Sequence, residues 1–234
     1  MRFPSPLIKA RLIRRYKRFL ADVELGGGEV ATAHCANPGS MQGVAEPGSE
    51  VWLSRAANPA RKLKYTWELV RVGRHLVGIN SGLANALAGE AIERGRIAEL
   101  SGYAGMRREV RYGTRSRIDL LLEDAARPRC FVEVKNVHLK RSPGLAEFPD
   151  AVTARGTKHL GELANVAAGG ERAVMLYVVQ RGDCDRFAAA GDVDPAYAEA
   201  LARALAGGVE ALVYACEISS RAISVDQPLP LDMP

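Results

Sequence analysis

Three charged side chains lie within two short apolar segments in the middle of the chain. Asp119 lies in SRIDLLLE (116–123), and Glu133 and Lys135 lie in FVEVKN (131–136). The intervening DAARPR predicts the turn of a β-hairpin. Alternate residues of a strand share a face, so Glu133 and Lys135 point the same way, and antiparallel pairing can bring Asp119 beside them. Two carboxylates and an amine are therefore expected to converge.

This combination suits metal-assisted hydrolysis of a phosphodiester. Asp119 and Glu133 supply the hard oxygen ligands that Mg²⁺ or Mn²⁺ prefers, and Lys135 can orient a water or stabilise charge on the phosphate. The alternative is a cross-strand ion pair on a solvated face. The apolar neighbours favour burial, where charges need partners or a metal.

A helix over residues 83–100 supplies a further acid. The segment is rich in Ala and Glu, contains no Pro and follows residues that can cap a helix. Leu83 and Leu87 mark its inner face, and Glu90 is the next residue on that stripe. Glu90 is therefore a candidate metal ligand and catalytic residue. A surface ion pair with Arg94 is the open alternative.

Positive charge is concentrated in the first third of the chain. Residues 1–82 contain 13 Lys and Arg against 6 Asp and Glu, whereas residues 83–234 contain 19 against 21. Tyr16 and Phe19 lie among these basic residues, and phosphate-binding surfaces combine such charges with rings on which bases stack. A solvated basic edge strand is the alternative. The candidates for nucleic-acid contact in this region are Arg11, Arg14, Arg15, Lys17 and Arg18.

The spacing of apolar segments predicts two domains and a mixed α/β fold class. Residues 1–82 alternate short strands with Gly, Pro and Asn turns, which is typical of a small β-barrel, OB-like or SH3-like. Residues 83–234 follow the order α-β-β-β-α-β. The third and fourth of these strands flank a crossover helix and are expected to be parallel. We expect a loop around Pro143 and Pro149, and a loosely packed tail from Ser219.

The crossover helix, predicted over 157–168, opens with two basic residues. Arg155, Lys158 and, one residue further on, His159 lie near its N-terminus, where backbone N–H groups and the helix dipole favour an anion. They are candidates to hold the scissile or a neighbouring phosphate. A solvated first turn with Lys158 paired to Glu162 is the alternative.

Composition limits the class of protein. A hydrophobic fraction of 47% with 25% charged residues is ordinary for a globular protein. No apolar run approaches the length that spans a bilayer, and early prolines interrupt any signal-peptide core, so we expect a cytoplasmic protein without a membrane partner. The 4 cysteines include no CxxC pair, which predicts reduced thiols. His34 and Cys35 lack further metal ligands nearby and are interpreted as the end of a strand.

Several motifs, taken in order, resemble known families. Asp119 followed by EVK (133–135) in an α-β-β-β-α-β order is similar to the PD-(D/E)xK nuclease superfamily, which has the restriction-endonuclease-like fold; Ile118 replaces the proline of that motif. Nearly the whole chain, from about residue 7 to 224, also resembles the sugar fermentation stimulation protein A family. The motifs that carry this second resemblance are RYKRFLAD (15–22), HCANPG (34–39), WELV (67–70), SRIDLLL (116–122), VEVKNV (132–137), FPDAVTARGTKHLGEL (148–163) and QRGD (180–183).

The resemblance implies an OB-like barrel (1–82) followed by a restriction-endonuclease-like α/β domain (83–234). It implies a metal site of Glu90, Asp119 and Glu133, with Lys135 as the catalytic amine and Mg²⁺ or Mn²⁺ as cofactor. The function that it implies is DNA binding of low sequence specificity, linked to regulation of sugar (maltose) metabolism in bacteria.

Three functions stay open at this point. They are DNA binding, an active Mg²⁺- or Mn²⁺-dependent nuclease on DNA or RNA, and a metal-dependent enzyme that acts on a small phosphorylated metabolite. The last leaves the basic barrel unexplained. DNA is the expected partner, with RNA as the alternative, and a homodimer is left open.

Overall fold

A closed β-barrel forms the first part of the chain in the computed structural model, which describes residues 1–113 and 116–232. Its strands are β1 (Ile8–Tyr16), β2 (Leu20–Leu25), β3 (Val30–Cys35), β4 (Glu50–Arg55), β5 (Tyr65–Val72) and β6 (His75–Gly78). They lie in the order β3-β2-β1-β4-β5-β6, and β3 also pairs with β5, which closes the barrel. Alternate residues point inward, so that Leu12, Val23 and Leu53 surround the buried Trp67. The predicted barrel is confirmed.

The α/β domain is built on a twisted mixed sheet. Its elements are α1 (Ala84–Glu93), β7 (Gly105–Tyr112), β8 (Ser116–Glu123), β9 (Cys130–Val137), β10 (Leu139–Ser142), β11 (Gly144–Phe148), α2 (Ala154–Ala168), β12 (Arg172–Val179), β13 (Cys184–Ala189), α3 (Pro195–Ala206), β14 (Glu210–Ile218), β15 (Ile223–Pro228) and β16 (Leu231–Asp232). The main sheet has the order β15-β14-β12-β9-β8-β7. Strands β9 and β12 are parallel, as the crossover predicted.

Helices cover both faces of this sheet, which explains why its central strands are apolar on both sides. Leu87 of α1 packs in one core with Val132 and Val134 of β9. Leu160 of α2 packs in the opposite core with Phe131. Because strand residues alternate, Glu133 and Lys135 share the α2 face with Phe131. In the part of the chain that the structure describes, no helix is long and apolar enough to cross a membrane.

Three local predictions were wrong. The first helix ends at Glu93 because the chain turns at Gly95, which has a φ of 65° that favours glycine. The expected loop before α2 contains β10 and β11, which form a small sheet with β13 and β16. The tail is not loose, because β15 pairs antiparallel with β14 and buries Ile223 and Val225.

Side-chain contacts join the barrel to the α/β domain along a seam. Arg15 of β1 donates to the carbonyl oxygens of Asn37 and Gly39, both at 2.9 Å, and so holds the 37–40 loop. Asp150 accepts from the amide of Met41 at 3.2 Å. A Cβ atom at Gly39 would lie 2.2 Å from the Asp150 carboxylate, so the close approach requires glycine.

The seam continues on the far side of the 37–40 loop. The Gln180 side-chain amide donates to Asn80 O at 3.1 Å, and its backbone carbonyl accepts from Gly78 N at 2.9 Å. Within the barrel, Asn37 donates to Ile79 O at 2.8 Å. Because Gln180 and Asn80 are buried, each needs its partner across the seam, and the two domains are held in one arrangement.

Candidate functional site

Asp119 lies where strands β8 and β9 separate. Their regular pairing reaches Leu120 opposite Val132 and stops there. Beyond that point Asp119 Oδ2 accepts a hydrogen bond from the Val134 backbone amide at 2.8 Å, in place of a backbone carbonyl. Asn85 of α1 donates to Asp119 Oδ1 at 2.7 Å. The carboxylate is therefore fixed by both the sheet and the helix.

Glu133 is the most deeply buried acid of the site, with a side chain 3% exposed. Lys135 Nζ donates to its Oε1 at 2.7 Å, and His159 Nδ1 of α2 contacts the same oxygen. Its other oxygen, Oε2, has no hydrogen-bond partner among the described residues. The structure thus brings Glu133 and Lys135 together and adds a histidine that sequence reasoning had placed only near the helix start.

Burial and mutual repulsion separate the pKa values of the two carboxylates. Burial raises the pKa of Asp119, and the neighbouring Glu133 charge raises it further, against the hydrogen bonds from Val134 and Asn85. Burial also opposes ionisation of Glu133, but His159 and Lys135 outweigh it and lower its pKa. Glu133 is therefore the acid that stays ionised, and Asp119 is the one that more readily takes a proton.

The prediction for Glu90 needs correction. Its carboxylate pairs with Arg94 at 2.7 Å and with the amino group of Met1. Asn85, five residues earlier on α1, is the residue that reaches Asp119. Five residues separate two side chains by roughly 140° around a helix, so Glu90 faces away from Asp119. The structure contains the ion pair between Glu90 and Arg94 that the sequence analysis gave as the alternative.

The basic residues of α2 lie beside the site. Arg155 is exposed, with Nε 3.4 Å from His159 Nε2. Lys158 Nζ donates to Ser116 Oγ at 3.2 Å and lies 3.4 Å from Glu162. The helix begins at Ala154, earlier than expected, because the Thr153 side chain caps it by accepting from Gly156 N.

The predicted basic residues of the barrel divide into two groups. Arg11 donates to Gly48 O, Arg14 pairs with Asp22, and Arg15 holds the 37–40 loop. Lys17 and Arg18 lie in the β1–β2 turn with φ values of 46° and 63°. Their side chains and the Phe19 ring are exposed. The turn therefore presents two cations and a ring to solvent, whereas Arg14 and Arg15 act within the fold.

A cleft of about 380 Å³ separates this turn from the start of α2. Arg18 lines one side of it, and Asp150, Val152 and Thr153 line the other. Asn136, the residue after Lys135, and His138 also line it. The basic turn and the N-terminus of α2 therefore border the same cleft.

The acids of the centre fit a hydrated divalent cation. Within residues 1–113 and 116–232, no three His, Cys, Asp or Glu side chains are arranged to enclose a metal ion. Mg²⁺ usually keeps several waters and needs only one or two carboxylates. Asp119 and Glu133 supply these, and the unpartnered Oε2 of Glu133 is a buried acceptor of the kind that a cation would satisfy.

The fold and the site define a class of two-domain protein, in which a small barrel precedes an α/β domain with an Asp-Glu-Lys centre. Residues 13–79 match the family model described as an N-terminal OB domain, and residues 82–222 match that of the sugar fermentation stimulation protein RE domain. The chain belongs to the sugar fermentation stimulation protein family. The predicted sugar fermentation stimulation protein family is confirmed, and so is the mixed α/β fold class with an N-terminal barrel.

Relatives match the chain along its whole length. The sugar fermentation stimulation protein homolog of Maricaulis maris is 59% identical over 233 residues, covering 100% of this chain and 99% of that protein. The homolog of Rhodospirillum centenum is 60% identical over 231 residues, covering 99% of each. A solved structure, that of Pyrococcus furiosus SfsA in complex with Ca²⁺, has a TM-score of 0.89 at 28% identity and covers 99% of this chain and 98% of that one.

Proposed function

We propose that this chain is a DNA-binding protein of low sequence specificity that holds a divalent cation at Asp119 and Glu133. The observation that supports it best is the shared cleft, which has the exposed Arg18 on one side and the start of α2 on the other. A phosphate backbone that follows the β1–β2 turn would pass along this cleft toward Arg155 and Lys158.

The chemistry of the turn favours low specificity. Lys17 and Arg18 are long, exposed cations that contact phosphates, which carry no sequence information. The exposed Phe19 ring offers a stacking surface to any base. Neither feature reads the edges of base pairs, so affinity is expected to depend more on salt than on sequence.

The proposed cation site has support from a relative. The Pyrococcus furiosus SfsA structure is a complex with Ca²⁺, a cation that prefers oxygen ligands. In the present chain the carboxylates of Asp119 and Glu133 offer such ligands. A cation bound there would draw a phosphate toward the centre and offset repulsion from the two acids.

Fluorescence anisotropy with labelled mixed-sequence duplex DNA, single-stranded DNA and RNA tests the binding proposal. We expect affinity for DNA to fall steeply between 50 and 200 mM salt, roughly tenfold for every two phosphates that the protein neutralises. Unrelated DNA sequences should bind within about threefold of one another. Binding that is absent, or that does not respond to salt, would remove the proposal.

An active nuclease is the second candidate, and the position of Lys135 favours it. A cation at the acids would supply Lewis-acid chemistry and a more acidic bound water. Lys135 Nζ, 2.7 Å from Glu133, can hold a water or a phosphate oxygen at that centre. Arg155 and Lys158 can hold the neighbouring phosphate.

Nicking of supercoiled plasmid in Mg²⁺ or Mn²⁺ tests this second proposal. Wild-type protein should cut, while Lys135→Met should retain DNA binding and lose cutting by at least about 100-fold. Equal traces of cutting in wild type and variant would indicate a contaminating nuclease. No cutting of DNA or RNA by wild type in either metal leaves the binding proposal as the function.

The link to sugar metabolism follows from the family name. We propose that DNA binding by this chain affects expression of maltose-utilisation genes. Growth on maltose of a host lacking the gene, complemented with wild type or with a Lys17→Ala, Arg18→Ala double variant, tests this link. Full rescue by a variant that no longer binds DNA would refute it.

A further inference from the structure

Glu162 is an acid on α2 whose carboxylate oxygens are buried, and the site described so far gives it no role. Its side chain is 11% exposed, and neither carboxylate oxygen has a hydrogen-bond partner among the described residues. Lys158 Nζ lies 3.4 Å away on a side chain that is 52% exposed. Such a distant, half-solvated ion pair compensates little of the cost of burying a carboxylate.

The position of Glu162 directs it toward the centre. His159, three residues earlier on the same face of α2, contacts Glu133. On the opposite side, a Cβ atom at Gly113 would lie 3.5 Å from the Glu162 carboxylate, so the acid packs against the end of β7. Glu162 therefore lies between the helix and the strand that border the site.

Three oxygen-bearing groups with buried polar atoms meet in this region, and none of these atoms forms a well-aligned hydrogen bond among the described residues. They are the Glu133 carboxylate through Oε2, the Glu162 carboxylate and the Tyr112 hydroxyl. Burial raises the pKa of Tyr112, and the charges of Glu133, Glu162 and Asp119, together with the proximity of its hydroxyl to the Glu162 carboxylate, raise it further. One hydroxyl thus experiences all three acids. A native fold rarely leaves so many buried acceptors together unless a ligand satisfies them.

We propose that Glu162 is the third carboxylate of the divalent-cation site, in the role that the sequence had assigned to Glu90, with the Tyr112 hydroxyl as a neutral donor oxygen. This inference rests on the proposed cation site at Asp119 and Glu133. The acids do not enclose a bare ion within the described part of the chain. The cation therefore keeps waters that bridge it to at least one of them, as Mg²⁺ and Mn²⁺ do with oxygen ligands.

Calorimetric titration of Mn²⁺ into the purified full chain tests the proposal. Glu162→Gln keeps the shape of the side chain and removes its charge, and should weaken binding by about tenfold or more. Glu199→Gln is the matched control, because that glutamate is exposed on α3 and pairs with Arg203. Its affinity should equal that of wild type. Asp119→Asn tests the underlying site in parallel and should also lose affinity.

Thermal unfolding without metal separates a ligand from a structural ion pair. If Glu162 is a ligand, Glu162→Gln should unfold at the same or a higher temperature than wild type, because an uncompensated buried charge is removed. The rise in unfolding temperature on adding Mn²⁺ should shrink. If Glu162→Gln and Lys158→Met both lower the unfolding temperature equally and Mn²⁺ still stabilises both, the acid is a structural partner of Lys158 and the proposal is overturned.

The Mn²⁺ affinities distinguish failure of the Glu162 proposal from failure of the proposed cation site. Wild-type affinity in Glu162→Gln together with lost affinity in Asp119→Asn overturns the role of Glu162 and leaves the proposed cation site intact. No Mn²⁺ binding by wild type overturns the cation site itself, and the role of Glu162 with it. Weakened binding in both variants with an unchanged Glu199→Gln control supports both proposals.

Discussion

The Asp119 carboxylate accepts a hydrogen bond from the backbone amide of Val134 at 2.8 Å. An acid on one strand thus occupies the place of a carbonyl in the ladder with the next strand. The hydrogen bond to the sheet backbone restricts the Asp119 side chain, so the carboxylate has a fixed position. Rigid placement of this kind is what a metal-binding or catalytic group requires.

Asn85 should act as a positioning residue for Asp119. Asn85→Ala removes the donor to Oδ1, so we expect a loss of about 1 kcal/mol in the free energy of unfolding, measured by urea denaturation. The pKa of Asp119 should rise further, since that hydrogen bond lowers it. Mn²⁺ binding should then begin at a higher pH than in wild type. An unchanged pH profile of Mn²⁺ binding would contradict this role.

Lys17 and Arg18 should carry the salt dependence of DNA binding. In the double alanine variant, the plot of log affinity against log salt should become shallower by roughly 0.9 for each phosphate that the variant no longer neutralises. Arg203→Ala removes an exposed cation from α3 and serves as the control. An identical slope in the double variant and wild type would exclude the turn from the DNA interface.

Arg15 should behave as a structural residue although it lies in the same basic segment. Arg15→Ala removes donors to the carbonyl oxygens of Asn37 and Gly39. We expect a loss of roughly 1.5–3 kcal/mol in the free energy of unfolding, because these donors are charged. The salt dependence of DNA binding should hardly change under conditions where the variant is folded. A shallower slope without loss of stability would place Arg15 in the interface instead.

Glu90 should be dispensable for cation binding. Glu90→Gln breaks the ion pairs with the exposed Arg94 and with the Met1 amino group, each worth about 0.5 kcal/mol. Mn²⁺ affinity and any plasmid nicking should equal those of wild type. A tenfold loss of Mn²⁺ affinity, measured by calorimetry, would return Glu90 to the site.

Asp183 should contribute stability that is lost in acid. Burial opposes its ionisation, but hydrogen bonds from Arg181 and Lys140 outweigh burial and hold its pKa below the ordinary value. A lowered folded-state pKa stabilises the protein above the unfolded-state pKa of about 3.9, and this stabilisation is lost as the pH falls below it. Asp183→Asn should cost about 3 kcal/mol at pH 7, because Arg181 stays buried.

Urea denaturation of wild type and Asp183→Asn across the acid range measures this contribution. The difference in free energy of unfolding should be constant from pH 7 to about 5 and should narrow as the pH falls from about 4 toward 2. A difference that does not change with pH would show that the charge of Asp183 is not its source.

The alternation of residues within strands and the succession of strands and helices along the chain could be predicted, because both are local properties of the sequence. The facing of Glu133 and Lys135 follows from their spacing, and the parallel pairing of β9 with β12 follows from the crossover. Glu90 was misassigned for a specific reason. The stripe was counted from Leu83, which is only partly buried and lies at the edge of the buried face formed by Ala84, Leu87, Ala88 and Ala91. Glu90, seven residues further on, therefore falls at the same edge and not on the core-facing side.

Other members of the site depend on packing that a single sequence does not reveal. Asn85 gives no signal by itself, since an asparagine near a helix start usually serves as a cap. Glu162 had an adequate surface partner at Lys158, four residues earlier. The burial of the Glu162 carboxylate can be recognised only once the packing of α2 on the sheet is known. Strands β10 and β11 were missed because Pro143 and Gly144 lie at their junction.

The seam between the domains fixes the distance between the β1–β2 turn and the Asp119 site. Arg15 fixes the 37–40 loop, and Asp150 holds that loop against the α/β domain, so the β1–β2 turn stays at a set distance from Asp119. A strand that bound to Arg18 would therefore reach the acids at a constant number of nucleotides from that point of attachment. The position at which the strand contacts the acids, or is cut, would then be set by distance along its backbone. The bases between Arg18 and the acids would not need to be recognised.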